Sequence, residues 1–351
     1  MTNEEWMKKT FDLAKLGLGF TWPNPLVGAV IVKNGKIIGE GFHHQYGHDH
    51  AEIDALKNCT ESAEGATIYV NLEPCCHTSK QTPPCAQRLI KEKIKKVVIC
   101  NLDPNPLVNG KGIELLKAAG IEVESGILKE KGEELNEAFF FAQRNKAPFI
   151  HLKMASTLDG RIALPNGESQ WITGLIARNH VHELRSQHQG VMIGAETLRK
   201  DNPKLNVRIQ TYVGRQPFRI VFTKSGKLPQ DALLFNDDLK HQTLVYTESD
   251  SDLHFPASQI IKVASLEEAM NDLYQKKFMN LLLEGGSSLA SAFMAKGLVN
   301  RVSVYLNPSF LGSGPTSVGH FGLDRLEERP RLKNVQHMKL GEDFYFTGRL
   351  N

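Results

Sequence analysis

The stretch from His50 to Cys85 constrains the fold more than any other part of this sequence. His50 opens a predicted helix, Cys75 follows a predicted strand through Glu73-Pro74, and Cys85 lies at the start of the next helix. One imidazole and two thiolates form a three-ligand zinc set, which leaves the fourth tetrahedral position for water. Parallel α/β sheets place their sites where strands end and helices begin. The spacing therefore predicts an α/β sheet with a zinc centre at one edge.

Glu52 lies two residues after His50 and is predicted to move protons. Residues two apart on a helix do not face each other, so this carboxylate points elsewhere than the imidazole. That favours proton transfer at a zinc-bound water, which ionises near neutral pH, over ligation of the metal. The order His-x-Glu, Pro-Cys and a later Cys, with a Glu that is not a ligand, is typical of zinc nucleobase deaminases.

A closed structural zinc site is the alternative interpretation of the same residues. It would add either Cys76 or His77 as a fourth ligand and would leave Glu52 without a role. Pro74 suits the first position of a helix. This predicts that Cys75 lies at a positively polarised helix N-terminus, where a thiolate is stabilised.

Composition limits the classes of protein to which this chain can belong. Its 351 residues predict two domains, and 41% hydrophobic with 23% charged residues is typical of a globular protein. A net charge of +3 does not indicate a nucleic-acid partner, and no run of about 18 apolar residues could span a membrane. The N-terminus lacks the apolar core of a signal peptide. Five cysteines, an odd number, indicate a reducing cytoplasm and not a disulfide framework.

Hydrophobic periodicity predicts alternating helices and strands in the first part of the chain. Helices are predicted over 4–19, 50–59, 83–90, 113–119 and 129–145, and strands over 27–32, 37–38, 67–72, 97–100 and 121–124. This alternation predicts a three-layer α/β domain. His43, His44 and His48 follow the second strand and are predicted to be solvated.

Pro148 marks the predicted boundary between a domain over residues 1–146 and a second α/β domain over residues 147–351. In the second domain, strands are predicted over 149–153, 190–194, 218–223, 243–247, 259–263, 280–284, 301–306 and 343–349. Helices are predicted there over 176–187, 266–276 and 287–296.

The strand that ends at Glu284 runs into Gly285-Gly286 and then into a helix. Two glycines let backbone amides approach a ligand, and a helix N-terminus favours phosphate. No G-x-G-x-x-G follows a strand, so a Rossmann dinucleotide site is not expected. Positive charge is added by Lys153, Arg185 and Arg208. The alternative interpretation of each is an ordinary surface ion pair. These residues by themselves indicate a phosphate-binding α/β domain.

Motifs in both halves occur in a distinctive order. The first half contains Pro23-Asn24-Pro25-x-Val27-Gly28, His50-Ala51-Glu52, Glu73-Pro74-Cys75, Thr82-Pro83-Pro84-Cys85, and Asp103-Pro104-Asn105-Pro106 with Gly110 and Gly112. The second contains Lys153-x-Ala155-x-Thr157-Leu158-Asp159-Gly160, Glu168-Ser169-x-Trp171-Ile172-Thr173, Asp201-x-Pro203 with Leu205 and Arg208, and Glu284-Gly285-Gly286. Over nearly its whole length the chain resembles the bifunctional deaminase/reductase family of riboflavin biosynthesis. The resemblance implies an N-terminal cytidine-deaminase-like domain and a C-terminal dihydrofolate-reductase-like domain.

The resemblance also implies two successive reactions. The first is hydrolytic deamination of 2,5-diamino-6-(5-phosphoribosylamino)pyrimidin-4-one, with zinc bound by His50, Cys75 and Cys85 and Glu52 as the catalytic residue. The second is reduction of the ribosyl group to ribityl with NADPH, to which Lys153 contributes.

Further site residues follow from the same resemblance. Deaminase substrate contacts are Asn24, His43, Asp103 and Asn105. The implied NADPH site contains Ala155, Trp171, Thr197, Asp201, Thr223, Gly286, Ser287, Ser288, Leu289, Ala290, Ser291 and Ala292. The phosphorylated reductase substrate is expected at Ser169, Arg185, Leu205, Arg208 and Glu284. The two arginines fit this role, because guanidinium groups bind phosphate bidentately.

The segment between the cysteines departs from the family. It is one residue longer than the usual spacing, and Cys76 occupies a position where Ser is usual. Counting forward from Glu73-Pro74 gives Cys75 as the ligand, whereas counting back from Cys85 gives Cys76. We prefer Cys75, because the turn after the strand fixes geometry better than the end of a loop.

Two other functions fit parts of the pattern. A zinc deaminase for another nucleobase or for nucleic acid would share the metal site, but a nucleic-acid enzyme should carry a basic, aromatic-lined groove. A zinc-stapled binding protein would release no ammonia and would tolerate loss of Glu52. We expect small-molecule substrates, a homo-oligomer and a cytoplasmic location, with neither a nucleic-acid nor a membrane partner.

Overall fold

The computed structural model describes residues 1–76, 84–249 and 259–350. The alternative ligand His77 and the predicted helix start at Pro83 lie outside these described residues. The chain forms two compact units, Met1–Lys146 and Ala147–Asn351, which we call unit 1 and unit 2. The α/β class predicted for both parts of the chain is confirmed. No helix of the described residues is long and apolar enough to cross a membrane.

Unit 1 has six helices and five strands among its described residues. The helices are α1 (Asn3–Lys15), α2 (Ala51–Lys57), α3 (Cys85–Lys91), α4 (Lys111–Ala118), α5 (Lys129–Leu135) and α6 (Glu137–Asn145). The strands are β1 (Gly28–Lys33), β2 (Lys36–Phe42), β3 (Thr67–Leu72), β4 (Lys96–Asn101) and β5 (Glu122–Ser125).

The five strands form one sheet in the order β2-β1-β3-β4-β5. β1 is antiparallel to β2 and β3, whereas β3, β4 and β5 are parallel, so β3 and β4 end at the same edge. Successive residues of β1 point to opposite faces. Ile31 packs in one core with Ala55 of α2 and Leu89 of α3, and Val30 packs in the other with Met7 of α1. The predicted three-layer arrangement is confirmed.

Two glycines of β2 let α2 lie directly on the sheet. A Cβ at Gly41 would lie 2.2 Å from the backbone nitrogen of Ala55, and a Cβ at Gly39 would lie 2.5 Å from the carbonyl oxygen of Ala55. Neither distance is compatible with a side chain. The close approach determines the position of α2, the helix that carries Glu52.

The prediction of a single helix over residues 129–145 is wrong, because α5 and α6 are separated at Asn136. The side-chain oxygen of Asn136 accepts a hydrogen bond from the Leu26 N–H at 2.8 Å, and its amide donates to the Leu26 carbonyl at 2.9 Å. Asn136 adopts φ −114° and ψ 28°, which interrupts the helix. Local periodicity cannot reveal a pairing between residues so far apart in sequence.

Unit 2 has five α-helices and nine strands among its described residues. The helices are α7 (Leu175–Ser186), α8 (Ala195–Asp201), α9 (Leu233–Asn236), α10 (Leu266–Gln275) and α11 (Ser287–Ala295). The strands are β6 (Phe149–Thr157), β7 (Gly190–Gly194), β8 (Phe218–Thr223), β9 (Thr243–Thr247), β10 (Gln259–Lys262), β11 (Asn280–Leu283), β12 (Arg301–Asn307), β13 (Leu332–Leu340) and β14 (Asp343–Leu350). Short 3-10 helices occur at Lys240–Gln242 and Leu326–Glu328.

All nine strands belong to one sheet, in the order β10-β9-β8-β7-β11-β6-β12-β14-β13. The strands from β10 to β12 in this order are parallel, so their carboxyl ends share one edge. Helices α10 and α11 cover one face, and α7, α8 and α9 cover the other. Only β14 and β13 run antiparallel to their neighbours.

The sequence did not predict β13. Its first and last residues, Leu332 and Leu340, are half-buried, and the seven residues between them are exposed. Only these two end residues pack against hydrophobic clusters, so the sequence of the strand shows no alternation of apolar and polar residues.

Candidate functional site

Three metal-binding side chains come together in unit 1. His50 immediately precedes α2, Cys75 follows β3, and Cys85 is the first residue of α3. Their potential ligand atoms all lie within 4.8 Å of one another. His50 Nδ1 lies 3.3 Å from Cys85 Sγ and 3.6 Å from Cys75 Sγ. One imidazole and two buried thiols at this spacing suit zinc, with one coordination position open.

The prediction that Cys75 opens a helix is wrong, since residues 73–76 are not helical. The helix begins at Cys85, and its first N–H donates to Cys75 Sγ at 3.4 Å. The Ala86 N–H donates to the Cys75 carbonyl at 3.1 Å. The Cys75 sulfur therefore still faces the start of a helix, although that helix belongs to the other cysteine.

Cys76 lies outside this cluster of ligand atoms. Its Sγ contacts the Leu107 carbonyl oxygen at 3.8 Å. Burial raises the pKa of the Cys76 thiol, with a smaller contribution from the Glu73 carboxylate. The structure thus brings Cys75, and not its neighbour, next to His50 and Cys85.

Glu52 lies in the first turn of α2 with only 3% of its surface exposed. Burial raises the pKa of this carboxyl group, whereas the neighbouring His50 lowers it. A hydrogen bond joins Glu52 to the Cys85 side chain, but Glu52 is not a member of the three-atom ligand cluster. A buried carboxyl group beside a metal cluster is suited to accepting and returning a proton.

The prediction that His43 is solvated is wrong, because its side chain is 2% exposed. Its Nδ1 lies 2.9 Å from the Asp49 carbonyl oxygen, which can only accept, so Nδ1 carries the proton. Its Nε2 then accepts from the Asn24 amide at 3.0 Å. Burial lowers the pKa of His43 to about 4, in keeping with a neutral ring. The two hydrogen bonds orient Asn24. Neither His43 nor Asp49 contacts its side-chain oxygen, which remains an acceptor.

Asp103 and Asn105 lie in the loop between β4 and α4. The side-chain oxygen of Asp103 accepts the Asn105 N–H at 2.8 Å, and that of Asn105 accepts the Leu107 N–H at 3.0 Å. The contact between Leu107 and Cys76 brings this loop next to the segment that carries Cys75. The four predicted substrate contacts of unit 1 therefore lie on loops around the metal cluster.

A large cleft opens in unit 2 at the shared edge where its parallel strands end. Its volume is about 1690 Å³. Sixteen of the residues implied by resemblance line it: Lys153, Ala155, Ser169, Trp171, Arg185, Thr197, Asp201, Leu205, Arg208, Thr223, Glu284, Gly286, Ser287, Ser288, Leu289 and Ala292.

Two predicted cofactor residues on α11 do not line the cleft. Ala290 is 2% exposed and packs in the core. Ser291 Oγ donates to the Ser287 carbonyl at 2.7 Å and accepts the Gly319 N–H at 2.8 Å. A continuous run of seven residues on a helix cannot present every side chain to one surface, because successive side chains turn around the axis.

Glu284 is the central charge of this cleft. Arg185 Nε and Nη2 donate to its two oxygens at 2.6 Å and 3.0 Å, and Lys153 Nζ lies 3.6 Å away. Burial alone would raise the pKa of Glu284, but the charges and hydrogen bonds of Arg185 and Lys153 outweigh it. Together they lower the pKa to about 2. Glu284 is therefore an anion, and Arg185 is largely engaged in holding it.

Arg208 differs from Arg185 because it forms no ion pair with a carboxylate of the described residues. Its Nη1 donates to Asn206 Oδ1 at 2.9 Å, and its backbone N–H donates to His182 Nδ1 at 3.3 Å. Burial and the two arginine charges lower the pKa of His182 to about 4, so this ring is neutral. An exposed guanidinium in a cleft, without a competing carboxylate, is suited to binding an anion.

Two glycines form the turn that leads into α11. Gly285 has a φ of +127°, a conformation that a side chain would strain, and Gly286 directly precedes the helix. The Gly286 N–H donates to Thr197 Oγ1 at 3.0 Å, which ties the turn to α8. Trp171 is 67% exposed in the cleft, and its ring lies 4.6 Å from the Arg178 guanidinium carbon. The cleft thus combines a helix N-terminus that favours phosphate with an exposed aromatic surface.

Comparisons with known proteins assign both units to families. Residues 1–101 match the family described as "Cytidine and deoxycytidylate deaminase zinc-binding region", and residues 148–346 match the family described as "RibD C-terminal domain". The "Riboflavin biosynthesis protein RibD" of Actinobacillus pleuropneumoniae is 42% identical over 98% of this chain and 94% of its own length. Its counterpart in Synechocystis is 42% identical over 100% of this chain and 97% of its own.

Solved structures give the same result. Form 1 of Acinetobacter baumannii RibD is 38% identical, with a TM-score of 0.93 over 99% of both chains. The Thermotoga maritima protein described as "diaminohydroxyphosphoribosylaminopyrimidine deaminase/ 5-amino-6-(5-phosphoribosylamino)uracil reductase" is 37% identical, with a TM-score of 0.88 over 99% of both chains.

The geometry of the three potential metal ligands predicts different effects for substitutions of two neighbouring cysteines. Cys75→Ser should reduce bound zinc from about one per chain to near zero, because a hydroxyl group is a poor substitute for a thiolate ligand. Cys76→Ser is the matched control and should retain the metal. Elemental analysis of the dialysed proteins measures the zinc content of both variants. Loss of zinc from the Cys76 variant alone would show that Cys76 is the ligand.

Proposed function

Because this chain belongs to the RibD family of riboflavin-biosynthesis deaminase/reductases, we propose how its own residues divide the two activities. The protein deaminates 2,5-diamino-6-(5-phosphoribosylamino)pyrimidin-4-one by hydrolysis and then reduces the ribosyl group of the product to ribityl. It uses Zn²⁺ for the first reaction and NADPH for the second. The observation that carries our assignment is the cluster of His50, Cys75 and Cys85 beside Glu52. It lies in the half that matches a zinc-binding deaminase family.

The deaminase residues belong to unit 1. His50, Cys75 and Cys85 would hold zinc, which activates water as a nucleophile near neutral pH when it is bound. Glu52 accepts a proton from the attacking water and returns protons to the ring nitrogen and the departing amine. Its burial and its contact with Cys85 keep it at the reacting centre.

The pyrimidine ring needs polar contacts that hold its position. The free side-chain oxygen of Asn24 would accept from the substrate, and His43 orients Asn24 because both ring nitrogens already have partners within the protein. Asp103 and Asn105 would contact the substrate from the loop after β4. His43 thus contributes chiefly by positioning Asn24.

The reductase residues belong to unit 2. NADPH supplies the hydride when it is bound, and the amides at the start of α11 suit its phosphates. The predicted NADPH residues that line the cleft, from Ala155 to Ala292, would surround the cofactor. Lys153 contributes to catalysis from its place beside Glu284. Arg208 would bind the substrate phosphate, whereas Arg185 holds Glu284 in place.

We also propose a small-molecule substrate and not nucleic acid. A net charge of +3 gives the chain little general attraction to a polyanion. A cytoplasmic location is the corresponding proposal for the compartment, supported by five cysteines that form no disulfide.

The role of Glu52 is tested by Glu52→Gln, with Glu61→Gln at an exposed position as the control. Deamination should fall by roughly 10²–10⁴-fold, the range for loss of one general acid–base group. Zinc content and NADPH-dependent reduction of the already deaminated substrate should be unchanged. Ammonia release and nicotinamide absorbance measure the two activities in the same protein. Near-normal ammonia release by the variant would exclude Glu52 as the proton carrier.

The role of Arg208 is tested by Arg208→Ala, with Arg199→Ala as the matched control. Arg199 also lines the cleft, but Glu196 already binds it. Loss of a charge-assisted contact worth about 1.5–3 kcal/mol should raise the reductase KM about 10- to 100-fold. The kcat should change little, because the phosphate does not react.

Arg185→Ala provides the contrast to Arg208→Ala. It should lower thermal stability, since removing one partner of a buried ion pair costs on the order of 3–5 kcal/mol. If Arg208→Ala has a normal KM, the substrate phosphate must bind elsewhere in the cleft.

We propose that the protein forms a homo-oligomer in which chains contact each other through β13. β13 is an edge strand of the described sheet, and it exposes Val335 and Met338. A second copy related by a two-fold axis could pair with it antiparallel. Light scattering should give a dimer mass, and Val335→Lys with Met338→Lys should give the monomer. A monomeric unmodified protein would contradict the proposal.

A further inference from the structure

Glu73 is a buried carboxylate with an unusual set of partners. It follows β3 directly, is 3% exposed, and forms no ion pair with a lysine or arginine of the described residues. Its Oε2 accepts the Gly110 N–H at 2.9 Å and the Asp103 N–H at 3.3 Å. Its Oε1 accepts the Gly112 N–H at 3.0 Å and the Ile113 N–H at 3.3 Å. Four backbone amides of the described residues therefore satisfy the oxygens of this buried carboxyl group.

These partners lie at the two ends of one loop. Asp103 is near its beginning, and Gly110 precedes α4 at its end. The loop carries Asp103 and Asn105, the two proposed substrate contacts. One carboxylate thus holds both ends of the loop, and it lies two residues before Cys75 along the chain.

The packing at this point is close as well as polar. A Cβ on Gly112 would lie 2.3 Å from the Pro74 carbonyl oxygen and 3.1 Å from Glu73 Oε1. The start of α4 is therefore in direct contact with the turn that leads to Cys75. A change in the position of Glu73 would move the loop relative to the metal cluster.

We propose that Glu73 is a positioning residue for deamination, which sets the distance between the metal cluster and the substrate contacts Asp103 and Asn105. This inference rests on the proposed deaminase function. Glu73 is not one of the three potential metal ligands, and it contacts Asp103 through the backbone N–H of that residue. Its effect is to keep the ring of the substrate in reach of Glu52.

Glu73→Gln is the informative substitution, because it keeps the size of the side chain and replaces one acceptor oxygen by an N–H donor. That donor would face backbone N–H groups, so one end of the loop should be released. The KM for the diaminopyrimidine substrate should rise about 10-fold or more, because backbone N–H groups of the loop lose their hydrogen-bond acceptor. The kcat at saturation should stay within about threefold, since Glu52 and the metal ligands are unchanged.

Asn101→Ala is the matched control for general destabilisation. Asn101 is buried in the same unit, and its side-chain amide donates to the Lys129 carbonyl at 3.0 Å, at α5. Its backbone carbonyl accepts the Glu73 N–H at 2.9 Å, a bond that substitution of the side chain leaves in place. The substitution should lower the melting temperature without a specific rise in KM. Zinc content and reduction of the deaminated substrate should remain normal in both variants.

The outcomes separate the inference from the function on which it rests. If the unmodified protein releases no ammonia from the substrate, the proposed function fails. If it is active and Glu73→Gln has an unchanged KM, or loses zinc, or changes KM no more than Asn101→Ala, the positioning role is overturned. Should Glu73→Gln not fold, Gly112→Ala displaces the same contact while keeping the carboxylate, and an unchanged KM there would overturn the inference equally.

Discussion

Two buried carboxylates, each directly after a parallel strand, organise the two sites. Glu73 follows β3 and Glu284 follows β11, and both are almost fully buried. Burying an ionised carboxylate is costly unless charges or hydrogen bonds compensate. Glu73 is compensated by backbone amides, which fixes a loop. Glu284 is compensated by Arg185 and Lys153, which fixes side chains in the cleft. The contacts of these two carboxylates therefore hold neighbouring parts of each site in place.

The partners already in use decide which side chains remain available to a ligand. Arg185 and Arg208 are equivalent in a sequence, but of these two arginines only Arg185 is hydrogen-bonded to Glu284, which is why we propose Arg208 for binding an anion. In unit 1, His43 uses both ring nitrogens, and within the part of the chain that the structure describes the side-chain oxygen of Asn24 accepts no hydrogen bond. Residue type alone cannot distinguish these roles, because they depend on hydrogen bonds between distant parts of the chain.

The sequence predicted well those features that local patterns encode. Buried strands such as Val97–Cys100 stand out as apolar runs, and most strands of both sheets lie close to their predicted positions. The motifs indicated the ligand cluster and the lining of the cleft. The failures share one physical cause. β13 has no buried face, Asn136 divides a helix through its pairing with Leu26, and Glu73 acts through amides some thirty to forty residues away. None of these interactions leaves a periodic pattern.

Interactions of this kind also fix the position of Cys75 relative to its neighbour Cys76. Glu73 is anchored by amides of the neighbouring loop, and Leu72 pairs with Asn101 in the parallel sheet, so the end of β3 has a defined register. Cys75 follows two residues later and receives the Cys85 N–H. A residue inserted before Cys75 would shift it away from that contact, whereas one inserted after Cys76 would leave both helix start and strand end in place. The end of β3 and the start of α3 together place the Cys75 sulfur beside His50.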